Sequence, residues 1–264
     1  MEDIRKIAID VLGISDPKPC KCGGQHQVCL ECRVCRANDK DQLASDFQHL
    51  AQYIDHTILK AEASEEAVKT ICEEADYYLT KSVCVNPLYV NLVSESLEKV
   101  LTCSVVGFPL SNSLTQTIVA ETSQAIQDGA NEIDMVIKVN WLKDKKYSQV
   151  LAEIRAISET CADKGALLKV IFENCLLTKE EIIIASLLSK KAGAEFIKTS
   201  TGFNKSGAAV EDVKLMRDVV GPKIGVKAAG GIRNRETAIQ MLKAGANRIG
   251  ASATKEILKD EYED

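Results

Sequence analysis

Histidine is scarce in this chain, with three in 264 residues. That scarcity argues against an imidazole-rich metal centre, and the body of the sequence has no His/Asp/Glu cluster at metal-ligand spacing. Long apolar runs are missing too. No stretch is long enough to cross a bilayer, and no charged start with an apolar centre marks a secretory signal. An excess of positive charge is also lacking. The formal net charge is -5, which argues against a nucleic-acid or membrane-surface binder, since either favours a basic face. Small-molecule partners and a cytosolic location are the expectation. At 45% hydrophobic and 27% charged, the composition is that of a globular α/β protein of one large domain or two small ones.

Cysteine is abundant instead. Five of the ten, Cys20, Cys22, Cys29, Cys32 and Cys35, crowd one short segment. The others, Cys72, Cys84, Cys103, Cys161 and Cys175, sit among apolar neighbours as buried free thiols would. The even studding of a secreted disulfide scaffold is not seen. Close thiol pairs across a Gly-Gly loop suit tetrahedral Zn²⁺, with Cys20, Cys22, Cys29 and Cys32 as the expected structural ligands. Redox-labile thiols are the alternative. An iron–sulfur set would need its fourth ligand at Asp39, which is not a cysteine.

Residues 1–42 form an extension of two parts. Ile4, Ile7, Ala8, Val11 and Leu12 fall at helical spacing and Gly13 ends the pattern, so a short amphipathic helix is expected, followed by the cysteine-rich linker. So short a helix must dock on something, either the body of the chain or a partner. From residue 43 to 264 the texture is that of a parallel α/β domain. Eight strands are expected, at 53–55, 82–86, 103–108, 132–137, 167–173, 196–200, 225–229 and 248–252, with helices between them. One helix opens at Ser64 with Glu65 and Glu66 in its first turn. This is the size and order of a (β/α)8 TIM barrel. A weak repeat agrees: Asp128-Gly129-Ala130, Ala192-Gly193-Ala194 and Ala244-Gly245-Ala246 each end a helix. Five residues after each glycine, at a strand's far end, stand Asp134, Lys198 and Gly250.

Strand parity turns Lys198 inward with Phe196 and Ser200. It also turns in Glu132 and Asp134, then Lys169 and Glu173, then Lys227. Three lysines and several carboxylates in one barrel interior are more than packing explains, since such cores are normally branched and apolar. A buried lysine near a second ammonium supplies neutral amine, which attacks an aldehyde to give a Schiff base. Asp134 can shuttle protons, and no metal or other cofactor is needed for that catalysis. The Gly-rich turn 229–233 and the last turn 250–252 sit where barrels bind phosphate.

Six ordered stretches strengthen this reading: YIDHTILK (53–60), SVCVNP (82–87), VVGFPL (105–110), EIDMVI (132–137), FIKTSTGF (196–203) and GVKAAGGIR (225–233). Over residues 53–252 the chain closely resembles the deoxyribose-phosphate aldolase family of class I lyases. The resemblance implies reversible cleavage of 2-deoxy-D-ribose 5-phosphate to acetaldehyde and D-glyceraldehyde 3-phosphate. It implies Lys198 as the Schiff-base lysine, Lys227 as its perturbing partner and Asp134 as the proton relay. Asp55, Cys84, Thr201 and Lys169 would meet the substrate, and Gly202, Gly230, Gly231, Arg233, Gly250 and Ser252 the phosphate. A homodimer is the expected assembly.

Departures stand beside the resemblance. Ser252-Ala253 lacks the second serine many members carry, Ser111 replaces a glycine, and Asn174 interrupts an ETC pattern. Some members use a C-terminal tyrosine, but Tyr262 carries no assignment. The extension resembles peptides that load enzymes into bacterial microcompartments, so a shell protein is the expected partner of its helix. The rival readings are a lysine aldolase of the same fold with another donor or acceptor, and a non-catalytic phosphosugar-binding scaffold.

Overall fold

The computed structural model describes residues 2–13 and 49–262. Eight parallel strands close into a barrel in sequence order: β1 (Ile54–Thr57), β2 (Ser82–Val85), β3 (Leu101–Val106), β4 (Glu132–Val136), β5 (Leu167–Ile171), β6 (Phe196–Lys198), β7 (Gly225–Ala229) and β8 (Arg248–Ala251). β8 returns to β1 through the register Asp55↔Gly250. The main crossover helices are α2 (Glu65–Tyr78), α3 (Val90–Ser96), α4 (Thr115–Gln127), α6 (Tyr147–Lys164), α7 (Lys179–Ala192), α8 (Val210–Val220), α9 (Arg235–Lys243) and α10 (Thr254–Tyr262), with a short α5 (Val139–Lys143) after β4.

Local chemistry sets these boundaries. The Ser64 hydroxyl accepts from Ala67 N at 3.2 Å and starts α2. Thr178 and Glu181 close a reciprocal capping box on α7, satisfying donors that a helix start leaves free. The three repeat glycines Gly129, Gly193 and Gly245 adopt φ of 110°, 100° and 116°, a region that side chains disfavour. β6 stops at Lys198 rather than at residue 200 because the Thr199 side chain takes over from the strand ladder. Its Oγ1 donates to Ala229 O (3.2 Å) and accepts from Ala229 N (3.1 Å).

The apolar core is an annulus between strands and helices. Ile133, Met135, Leu168, Val170, Ile197, Val226 and Ile249 point outward into it and are fully buried. The inward positions of the same strands include the charged residues Glu132, Asp134, Lys169, Lys198, Lys227 and Arg248. Burial therefore stabilises the barrel from outside, at about 25 cal/mol per Å² of apolar surface, and frees the interior for chemistry.

α1 (Glu2–Leu12) lies on α7. Ala8 and Leu12 are buried there, Ile7 and Val11 pack against the same cluster, and Lys191 Nζ on α7 donates to Leu12 O at 3.2 Å. That lysine sits at the negative end of the α1 dipole. α7 is buried on nearly every face, which a barrel helix open to solvent would not tolerate. Of the two expected docking partners, the structure displays the chain's own body.

Candidate active site

Every strand sends a polar or ionisable side chain into the interior: Asp55 from β1, Ser82 and Cys84 from β2, Cys103 from β3, Glu132 and Asp134 from β4, Lys169 from β5, Lys198 from β6, Lys227 from β7 and Arg248 from β8. Asp134 is the hub. Its Oδ1 accepts from Lys169 Nζ at 2.7 Å, and its Oδ2 accepts from Lys198 and Lys227, both at 2.7 Å. Two amines bonded to one oxygen can be no further apart than twice that length. Lys198 touches this one carboxylate alone. Lys227 also pairs with Asp55, and Lys169 pairs with Glu132 at 2.7 Å and approaches Asp55 at 3.8 Å.

The protonation states follow from this network. Burial alone would raise the Asp134 carboxyl, but Lys169, Lys198 and Lys227 outweigh it and hold Asp134 well below the usual carboxylate range. Burial would depress the Lys227 and Lys169 amines, yet Asp134 and the other carboxylates raise both above an ordinary lysine. These two remain ammonium groups. The structure brings Lys227 and Lys198 together on one Asp134 oxygen.

Cys84 and Cys103 face each other in the register of β2 and β3. The S–H of Cys103 donates to Asp134 Oδ1 at 3.3 Å, and the Cys103 Sγ accepts from Lys169 Nζ at 3.2 Å. The hydrogen bond from Cys103 draws the Cys84 thiol down, while burial pushes Cys103 well up. Ligand atoms of Cys84, Cys103 and Asp134 lie within 4.8 Å of one another. Both Asp134 oxygens already accept from ammonium groups, so a further cation there would be repelled, and the trio is a hydrogen-bonded network. Leu59, Val105 and Phe108 make the adjoining apolar wall, and Phe108 stacks edge-on with Phe203 at 5.3 Å.

The loops after the strands gather the remaining expected residues. Thr201 is buried, and its hydroxyl donates to Glu173, whose carboxylate also accepts from Thr201 N at 3.3 Å. Glu173 holds φ 59°, a conformation costly for a non-glycine residue and typical of functional sites. Gly207 and Gly230 pack backbone to backbone: a Cβ on Gly207 would fall 2.0 Å from Gly230 O, and Ala208 N donates to that oxygen at 3.0 Å. This contact holds Gly230 and Gly202 together, with Gly231, Arg233 and Ser252 exposed on neighbouring loops. Ser200 Oγ, beside Gly230, is buried with no hydrogen-bond partner among the described residues. Gly250 is explained by packing, because a Cβ there would lie 3.1 Å from Lys227 Cε.

Cys20, Cys22, Cys29 and Cys32 fall outside the described residues. Tyr262 donates to Tyr78 O at 3.0 Å and stacks on Tyr78, where α2 and α10 end, at the opposite end of the barrel from the strand termini that carry the site. Sequence reasoning missed Arg248, Cys103 and the Glu173–Thr201 bond. Arg248 was signalled by the repeat. Glu132, Phe196 and Arg248 each stand three residues after the repeat glycine, and the Arg248 guanidinium meets Glu132 and lies 5.8 Å from the Phe196 ring centre.

A closed parallel barrel with amines gathered on one carboxylate defines a lysine-bearing barrel enzyme of the aldolase type. Comparison with known proteins narrows the class. The DeoC/LacD family aldolase profile matches residues 49–259. Deoxyribose-phosphate aldolase of Clostridium novyi is 56% identical over 213 residues, 80% of this chain and 96% of the relative. That of Clostridium tetani is 54% identical over 213 residues, 80% and 98% respectively. A tetrameric deoxyribose phosphate aldolase from Aeropyrum pernix superposes with TM-score 0.77 at 29% identity, covering 98% of this chain and 97% of its own. The chain belongs to the DeoC/LacD family of aldolases.

Proposed function

We propose that this protein cleaves 2-deoxy-D-ribose 5-phosphate reversibly to acetaldehyde and D-glyceraldehyde 3-phosphate. The observation that carries the reading is the Asp134 hub, where Lys198 has one carboxylate partner and its neighbours have two or more. Lys198 is the attacking amine in this reading. As the neutral amine it attacks the aldehyde carbon, and loss of water from the carbinolamine leaves a protonated Schiff base. A base removes the proton of the C3 hydroxyl, the C2–C3 bond breaks, and its electron pair moves into the iminium to form an enamine. Glyceraldehyde 3-phosphate leaves. Protonation of the enamine and hydrolysis then release acetaldehyde and the amine. Asp134, in contact with Lys198, moves protons in the carbinolamine and enamine steps. The iminium is itself the electron sink, so no step calls on a metal or other cofactor.

Cys84, Lys169 and Asp55 line the reacting end, Thr201 meets a substrate hydroxyl, and the phosphate binds among Gly202, Gly230, Gly231, Arg233, Gly250 and Ser252. The partnerless Ser200 hydroxyl supports a polar ligand at this address, since buried polar groups are normally satisfied. A retro-aldol assay on deoxyribose 5-phosphate tests the reading. Activity with release of acetaldehyde supports it, and none over background overturns it in favour of a binding scaffold. Activity only with other aldehyde pairs favours the rival aldolase.

For the rest of the chain we assign residues 1–42 as an extension, 43–264 as the barrel domain and a cytosolic location. Docking of α1 on a microcompartment shell would require its stripe to leave α7. Deleting residues 1–38 tests this, with retained activity and lost co-purification with shells expected. A structural zinc on Cys20, Cys22, Cys29 and Cys32 is tested by metal analysis of the purified protein, and a homodimer by light scattering.

A further inference from the structure

Two thiols meet in the barrel interior, and the chemistry above makes no use of them as a pair. Cys84 of β2 and Cys103 of β3 stand opposite one another in the strand register, both fully buried and both free cysteines. Their sulfurs lie within 4.8 Å of each other and of an Asp134 carboxylate oxygen. Neighbouring strands run about 4.8 Å apart. That spacing falls inside the range of roughly 4.4–6.8 Å between Cα atoms that a disulfide spans.

Their surroundings set these two apart from other buried cysteines. Cys72 on α2 and Cys161 on α6 are pushed up by burial to about 11 and about 12, so neither readily gives thiolate, the reactive form. The Cys84 thiol is drawn down instead, by the hydrogen bond from Cys103 first and by the Lys227 ammonium next, against the effect of burial. Cys103 is pushed well up by burial and keeps its proton. Cys84 is therefore the attacking sulfur and Cys103 the resolving one. Both belong to a small apolar cluster with Leu59, Val105 and Phe108, separate from the outer core. Turning one thiol toward the other disturbs that wall and leaves the annulus around the barrel untouched.

We propose that Cys84 and Cys103 form an oxidisable dithiol in the active site, closed to a disulfide by hydrogen peroxide and reopened by a thiol reductant. Its effect on activity rests on the aldolase reading. Peroxide is smaller than acetaldehyde, so the path that admits an aldehyde to Lys198 admits it too. The Cys84 sulfur attacks one peroxide oxygen. The S–O bond forms, the O–O bond breaks, and the departing hydroxide leaves as water with the Cys84 proton. The Cys103 sulfur then attacks the Cys84 sulfur. The S–S bond forms, the S–O bond breaks, and hydroxide again leaves as water, with the Cys103 proton. Two thiols are oxidised, and one peroxide is reduced to two waters. Closure removes the Cys103 S–H that donates to Asp134 Oδ1 at 3.3 Å, and takes the Cys84 thiol from the reacting end. The aldol site is thereby switched off.

The test treats the protein with hydrogen peroxide, blocks the remaining thiols with iodoacetamide, and follows retro-aldol activity and the tryptic peptide map in the same samples. Lys81, Lys99 and Lys138 bound peptides 82–99 and 100–138, which carry Cys84 and Cys103 separately. The expected result is a crosslinked 82–99/100–138 species that dithiothreitol cleaves. Activity falls roughly tenfold or more, the scale of one lost hydrogen bond to a charged group, and returns on reduction. Cys103→Ser keeps a hydroxyl donor and cannot close the bond, so relative to its own untreated activity it shows no such reversible loss. A loss as large and as reversible as in the wild type assigns the effect to other thiols and overturns the proposal. Wild-type inactivation without the crosslinked peptides overturns it too, as does the crosslink with activity unchanged. The wild-type peptide map carries the test should Cys103→Ser not fold. Untreated protein with no retro-aldol activity removes the proposed function and the switch with it. Active protein that never yields the crosslink removes this inference alone.

Discussion

Glu173 shows how much a single side chain can be asked to do. It is buried at the end of β5 with left-handed backbone, and both its oxygens serve Thr201. A hydrogen bond to a charged group contributes about 1.5–3 kcal/mol, so Glu173→Ala should lower kcat/KM roughly tenfold or more. Steady-state kinetics beside a circular-dichroism check of folding would measure it, and unchanged kinetics would remove Thr201 from the substrate site. Residues whose chemistry conflicts with their address were the legible ones. Lys198, Lys227, Lys169, Asp134 and Glu132 stand where a barrel interior calls for branched apolar side chains, and parity alone turned them inward. Arg248 escaped notice because attention on its strand went to Gly250, five residues after the repeat glycine. The Glu173–Thr201 bond was hidden for a different reason: it joins two loops, and loop geometry has no period to read.

Among the elements, β4 and α6 are joined by a buried pair. Lys138, one residue after the β4 end loop begins, binds Glu153 of α6, which also accepts from Thr115 Oγ1 at 2.5 Å, and both charged side chains are nearly inaccessible. Breaking one partner of such a pair leaves an uncompensated charge. Glu153→Ala should cost about 3–5 kcal/mol of stability, read as a lower midpoint in urea unfolding, whereas a loss within the range of surface substitutions would contradict the pairing. Strand positions were readable from alternating patterns and helix starts from Ser64-type caps. Strand ends were less so, because side chains such as Thr199 extend the pairing beyond the backbone ladder. α1 was legible as a helix but not as a neighbour of α7. Its stripe states that it must dock, and not where.

At the scale of the whole molecule, the buried charges make stability depend on pH. Asp134, Asp55 and Glu132 have folded-state pKa values below their unfolded ones, despite burial, because the lysines and Arg248 hold them ionised. Their contribution is therefore present above the unfolded carboxylate range near pH 4 and is lost as pH falls through the depressed folded values. His56 adds an earlier loss. Burial lowers it below 6.5, so below about pH 6.5 the unfolded chain takes up a proton that the folded chain resists. Urea unfolding across pH 3 to 8 should show stability declining first below about pH 6.5 and again through the carboxylate range, with the first step absent in a folded His56→Asn variant. A wild-type curve flat from pH 7 to pH 5 would contradict the His56 assignment.

The central claim is that Lys198 is the amine that forms a covalent link to the aldehyde. Incubating the protein with acetaldehyde and borohydride, digesting it and locating the added ethyl group by mass spectrometry tests this directly. The account predicts modification at Lys198, with Lys169 and Lys227 unmodified because both are held as ammonium ions. Modification at either of those lysines instead, or an unmodified protein, would contradict it.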